Sequence, residues 1–138
     1  MTFTTKAGAV IQAPVQTGTG SGNYTDRNGN EITVNSSGQF FDTMNSTTPV
    51  LTIAGSATPS SPLTFTYTSP SGASAGYTVK YSAFTVHTNF ACTNIGEYPA
   101  TSVNLVTEID LPDIAAQATD KYTFAYEATP GADVTGLN

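Results

Sequence analysis

His87 is the one histidine in the 138 residues, so any hydroxyl nucleophile activated by an imidazole must work through it. It lies in Phe84-Thr85-Val86-His87-Thr88-Asn89-Phe90, on the parity opposite Phe84 and Val86, where a histidine usually decorates a sheet face. Acid–base catalysis by paired carboxylates has Glu97, Glu108, Asp110 and Glu127 as candidates. Glu108 and Asp110 would share one strand face about 7 Å apart, inside the roughly 5–9 Å that glycoside hydrolysis uses. The polar side of a half-exposed strand accounts for that pair equally well.

Asp26, Asn28 and Asn30 alternate, with Glu31 next, which faintly resembles the start of a calcium loop. Such loops need glycine at the sixth position and a bidentate carboxylate at the twelfth. Here the glycine is fourth, and Asp42 lies beyond the loop's reach. Asn28-Gly29 before the alternating Ile32 and Val34 instead predicts a hairpin turn whose two central residues both accept φ > 0. Tyr24 and Tyr98, each beside turn signals, are expected to be exposed and offer flat rings for sugar stacking. Most other tyrosines fall at core parity. Cys92 is the sole cysteine, which excludes an internal disulfide and a cysteine-based zinc centre and predicts a buried thiol, or an intermolecular disulfide if its loop is exposed.

The elements that must carry these residues are β-strands. Only 10% of the chain is charged against about 25% in an ordinary domain, and Ser with Thr supply about a quarter of it. Polarity therefore comes from hydroxyls, and Thr, Val, Ile, Tyr and Phe suit a pleated surface. The predicted fold is all-β, an antiparallel β-sandwich or a strongly twisted β-sheet built from hairpins. Strands are expected at Ala9–Gln12, Glu31–Val34, Gln39–Asp42, Val50–Ile53 and Leu63–Thr68, the last alternating large residues with threonine. Val103, Leu105, Ile109 and Leu111 are expected on one face, opposite Asn104, Glu108 and Asp110. Tyr122, Phe124 and Tyr126 share another.

Within Tyr77–Phe90, Tyr77, Val79 and Tyr81 occupy one parity and Phe84, Val86 and Phe90 the other. A bulge near Ser82-Ala83 would reconcile them; a strand buried on both sides is the competing reading. Ile114–Ala118, with Asp113 as N-cap, supports one helical turn at most. The expected organisation is one domain over residues 1–138: an N-terminal strand segment 1–16, a Gly/Ser/Thr linker or loop 17–23, and a main body 24–138.

Tyr-x-Asp-x-x-Gly-Asn at Tyr24–Asn30, followed by a Thr/Ile strand, resembles the tyrosine-aspartate repeat of the RHS/YD-repeat proteins. The stretches TNFACTNIGEYPATSVNLVTEIDLPD and KYTFAYEATPG are similar to the segment that precedes or begins the repeat array in large, bacterial surface proteins of that family. The resemblance implies repeated hairpins and a scaffold, encapsulation or adhesion role. The turn after Leu111-Pro112-Asp113 is longer than the family's, and one clear repeat is too few to close a shell.

A net charge of −6 leaves no basic stripe for nucleic acid. No cofactor motif occurs, no stretch of 18 apolar residues points to membrane insertion, and MTFTTKAGAV carries no export signal. The Thr/Ser-rich, lysine-poor composition nonetheless suggests a secreted or cell-surface protein. Expected partners are a protein or a glycan at a surface, with homo-oligomerisation open. The leading reading is a structural or adhesive β module. Its alternatives are a carbohydrate-binding module, a small hydrolase, and a filament subunit whose Thr2–Ile11 segment pairs with a neighbour's sheet edge.

Overall fold

The computed structural model describes residues 1–13, 21–112, 120–127 and 136–137. The helical turn expected at Ile114–Ala118, with its Asp113 cap, and residues 17–20 of the expected linker lie outside the described residues. The eleven strands are β1 (Thr2–Thr4), β2 (Val10–Gln12), β3 (Gly22–Thr25), β4 (Glu31–Val34), β5 (Gln39–Asp42), β6 (Leu51–Ala54), β7 (Leu63–Thr68), β8 (Ser74–Val86), β9 (Thr101–Asp110), β10 (Lys121–Thr123) and β11 (Gly136–Leu137). Among the described residues there is no helix, so the all-β expectation holds, as an antiparallel sheet built from hairpins. Two compact units can be distinguished: Met1–Ala54 with Thr64–Gly76, and Gly55–Leu63 with Tyr77–Asn138.

In the first unit each strand from β1 to β7 pairs antiparallel with the next in sequence. The turns set this order. Thr5, Asp26, Asn35 and Ser69 each open a five-residue loop in which the fourth residue is glycine. The glycine N–H reaches back to the first carbonyl, and the first N–H bonds the fifth carbonyl. Gly8, Gly29, Gly38 and Gly72 have φ of +83°, +87°, +72° and +84°. This is a type I turn closed by a left-handed glycine. Asn28 does not have positive φ, so the Asn28-Gly29 hairpin forms as expected but not with two left-handed residues. Asp26 and Asn35 explain the choice: the side-chain oxygen of each accepts the N–H groups two and four residues on, which holds the intervening residues right-handed.

Because paired residues of an antiparallel ladder project to the same side, the register sorts the first unit into two faces. Phe3, Ile11, Tyr24 and Ile32 form one cross-strand row. Val34, Phe40, Leu51 and Tyr67 form a second, with Ile53 opposite Phe65 beside it. The other face carries Thr2, Thr4, Thr25, Thr33, Thr52, Thr64 and Thr66 together with Gln12, Asn23 and Gln39, interrupted by Val10, Phe41 and Ala54. The apolar face is only partly covered: Phe3, Tyr24 and Ile32 are 45%, 44% and 51% exposed. Among the described residues Ala9 is the one buried apolar side chain, and no large side chain is fully buried.

In the second unit β8 pairs antiparallel with β9, β9 with β10, and β11 lies parallel to the end of β8. Lys80 pairs with Glu108 but Tyr81 with Val106, leaving Thr107 as the extra residue. A bulge therefore lies between Lys80 and Tyr81, but its added residue belongs to β9, so it does not shift the parity of β8 as the one expected near Ser82-Ala83 would. Alternation along β8 is unbroken, with Tyr77, Val79 and Tyr81 on one side and Phe84 and Val86 on the other, and neither side is fully buried, Tyr77 being 41% exposed. The same bulge corrects the expected face of β9. Val103 and Leu105 lie on the side of Glu108 and Asp110, whereas Val106 and Ile109 lie on the opposite side. Each side of this ladder is thus half apolar and half polar.

Gly38 shows how much the turns contribute. A Cβ there would stand 2.3 Å from the Ile53 carbonyl oxygen, whereas one on Gly29 meets nothing within 4 Å. Both substitutions carry left-handed strain of about 1–2 kcal/mol, but only Gly38→Ala must also push β6 away. Urea denaturation should show Gly38→Ala destabilising by about 3 kcal/mol or more and Gly29→Ala by about 1.

Candidate functional site

A groove of the first unit lies beside the Asp26–Asn30 turn. Tyr24 and Ile32, neighbours on β3 and β4, line it together with Met44 at its rim, and Asp26, Asn30 and Asp42 supply polar groups around its volume of about 310 Å³. A second hollow of about 260 Å³, lined by Thr33 and Phe41, opens on the threonine face. Thr43 fixes the loop between the two: its hydroxyl accepts the Glu31 N–H at 2.6 Å and donates to the Glu31 carbonyl at 3.3 Å. Asp42 accepts the Asn45 N–H, and Asn45 in turn accepts the Thr47 and Thr48 N–H groups. The loop holds Met44 almost fully in solvent, at 92% exposure. A flat ring, an aliphatic neighbour and carboxylate and amide groups at the margin are the elements of a shallow sugar site.

Tyr24 is exposed as expected. Tyr98, expected as its counterpart, is also exposed at 50%, but it belongs to the second unit. Asp26, Asn28 and Asn30 do come together, held by one another. The Asp26 carboxylate accepts the Asn28 and Asn30 N–H groups at 2.7 and 2.9 Å and the Asn30 amide at 2.8 Å. That amide, above all, lowers the Asp26 pKa from its ordinary value. These oxygens are engaged in closing the turn. Among the described residues no three carboxylate, imidazole or thiol groups cluster as metal ligands would.

The second unit accounts for the remaining candidates. Glu108 and Asp110 share a face, as the alternation predicts, but Lys80 lies across from them. Its ammonium is 2.5 Å from Glu108 and 2.9 Å from Asp110, and Lys121 approaches the other Glu108 oxygen at 2.7 Å. Lys121 first and Lys80 next hold the Glu108 pKa down at about 2, so it is ionised at neutral pH and has no proton to give as a general acid. The two bonded carboxylates likewise raise the Lys80 pKa.

His87 follows the end of β8 rather than standing within it, half-buried, with Nδ1 3.3 Å from the Thr88 carbonyl. Glu97 folds back into the His87–Ala100 loop. Its Oε1 accepts the N–H groups of Phe90 and Ala91 at 2.7 and 3.1 Å, and Thr88 donates its hydroxyl to Oε2 at 2.5 Å while accepting the Tyr98 N–H. The Thr88 hydroxyl is the main cause of a lowered Glu97 pKa. Ala91, with φ of +52°, is held in a left-handed conformation by this clamp. Glu97 therefore shapes a loop. Cys92 in that loop is exposed, its thiol donating to the Phe90 carbonyl at 3.3 Å. The expected burial is wrong because the surrounding Phe90–Ala100 residues are all exposed. Sequence reasoning found the groove's tyrosine but missed Asp42, Thr43 and Met44, which no local motif marks.

The ion-pair ladder has a defined pH response. Glu108 titrates lower when folded than its ordinary 4.5, so its contribution is complete above that value and is lost as pH falls toward 2. Carboxyl-carbon NMR should give Glu108 a midpoint near 2, and Lys80→Ala with Lys121→Ala should return it toward 4.5. A wild-type midpoint near 4.5 would show that the ladder is absent in solution.

No helix among the described residues is long and apolar enough to cross a membrane. Comparison with protein-family models, curated proteins and solved structures gives no match.

Proposed function

We propose that the chain is a structural β module of a larger secreted or cell-surface protein, of the tyrosine-aspartate repeat kind that Tyr24–Val34 resembles. The observation that carries this reading is the sorting of the first unit into an apolar face and a threonine face by four turns of one design. Such a ladder extends by adding hairpins, and each added hairpin needs only a polar cap, two further residues, a glycine and an alternating strand. Three of the candidates for chemistry hold structural contacts: Glu97 clamps a loop, and Glu108 and Asp110 join neighbouring strands through Lys80.

A carbohydrate-binding role is a second reading, favoured by the groove in which Tyr24 and Ile32 lie beside Asp26, Asn30 and Asp42. The ring would stack on a sugar face while the margin exchanges hydrogen bonds with hydroxyls. A shallow, open site of this kind binds single sugars weakly and gains from repetition along an array.

One experiment separates these roles. The purified chain is screened on a glycan array and against chromogenic ester and glycoside substrates, beside His87→Ala and Tyr24→Ala. The structural reading expects neither turnover nor retained glycan. Glycan retention lost in Tyr24→Ala would establish the binding reading, and turnover lost in His87→Ala would overturn both.

A further inference from the structure

We propose that the apolar face of the first unit docks a second copy of this chain, sheet face to sheet face. The inference goes beyond the structural reading by naming what covers that face. Its core is the cross-strand row Phe3, Ile11, Tyr24, Ile32, about 14 Å long at the usual strand spacing. Ring and branched aliphatic side chains alternate along it. A twofold axis parallel to the strands, passing between Ile11 and Tyr24, reverses the row in the facing copy. Phe3 then meets the partner copy's Ile32, and Ile11 meets its Tyr24, so every ring packs on an aliphatic group. At the ~10 Å separation of packed sheets the row is complementary to itself.

Charge does not oppose this pairing. In the first unit Asp26, Glu31 and Asp42 stand against Lys6 and Arg27, a net −1, so −5 of the chain's −6 belongs to the second unit. Within the row there is no ionisable carboxylate or amine; Asp42, opposite Ile32, closes its end.

Area sets the strength. Phe3, Tyr24 and Ile32 are about half exposed and Met44 is 92% exposed, which leaves roughly 400–500 Å² of apolar surface on each copy. Two such faces bury about 800–1,000 Å², at or just under the ~1,000 Å² of a specific interface and in the range of weak, transient contacts. The dimer is accordingly weak, with dissociation in the micromolar range or above.

Sedimentation equilibrium of the full chain from micromolar to millimolar concentration tests this. The expected result is a reversible monomer–dimer equilibrium. Ile32→Lys should weaken it at least about tenfold, and Thr33→Lys, on the other face, should leave it unchanged. Phe3→Lys, at an exposed edge strand, should reproduce the effect of Ile32→Lys, and circular dichroism confirms that each variant is folded. A monomer at every concentration, or equal weakening by Thr33→Lys, overturns the inference. A monomeric chain would leave the structural reading standing, since that reading requires the hairpin ladder and not its pairing.

Discussion

Cross-strand register is the constraint on which everything else in this protein depends. With no large side chain fully buried among the described residues, there is little core to absorb an error in strand pairing. Each cross-strand pair contributes roughly 0.2–1 kcal/mol, and a slip of one residue would exchange the apolar and threonine faces along a whole strand. The turns prevent that slip. In the Asp26 and Asn35 loops a side-chain oxygen satisfies N–H groups that the strands cannot reach, and in all four loops a left-handed glycine closes the hairpin. Local chemistry at the loops therefore decides which residues meet across the strands.

The second unit obeys the same constraint with one interruption. Thr107 adds a residue to β9, and every side chain beyond it changes sides. That change puts Glu108 and Asp110 on the face of Lys80 and allows Lys121 on β10 to join them. Were Thr107 instead paired with Lys80, Glu108 would fall opposite Val79 and face away from Lys80. Further along, the aromatic ring of Tyr126 meets Phe84 edge-on at 5.6 Å, and its hydroxyl donates to the Val106 carbonyl beside the bulge.

Strands with clean alternation were readable in the sequence: Leu63–Thr68 showed its two faces directly, and Asn28-Gly29 marked a hairpin. The conflict of parity within Tyr77–Phe90 suggested a bulge in that strand, whereas the extra residue lies in β9 and the two parities of β8 stay on opposite sides. It could not say which strand held the extra residue, because an insertion in either one shifts the register between them, and Val103, Leu105, Ile109 looked uninterrupted. The turn type also escaped notice. Asn-Gly suggests two left-handed residues until the carboxylate two positions earlier is seen to hold Asn28 right-handed. Of the candidate site, Tyr24 was legible from the adjacent turn. Lys80 and Glu108 are 28 residues apart, and Glu97 reaches Phe90 only after the loop folds back; such partners exist only once register and loop geometry are set.

Cross-strand proton NOEs would test this register most directly. This register requires contacts of Tyr24 with both Ile11 and Ile32, of Lys80 with Glu108, and of Tyr81 with Val106, with Thr107 lacking a partner on β8. Contacts of Tyr81 with Thr107, or of Tyr24 with Thr33 in place of Ile32, would contradict it, because the faces assigned to both units would then be exchanged.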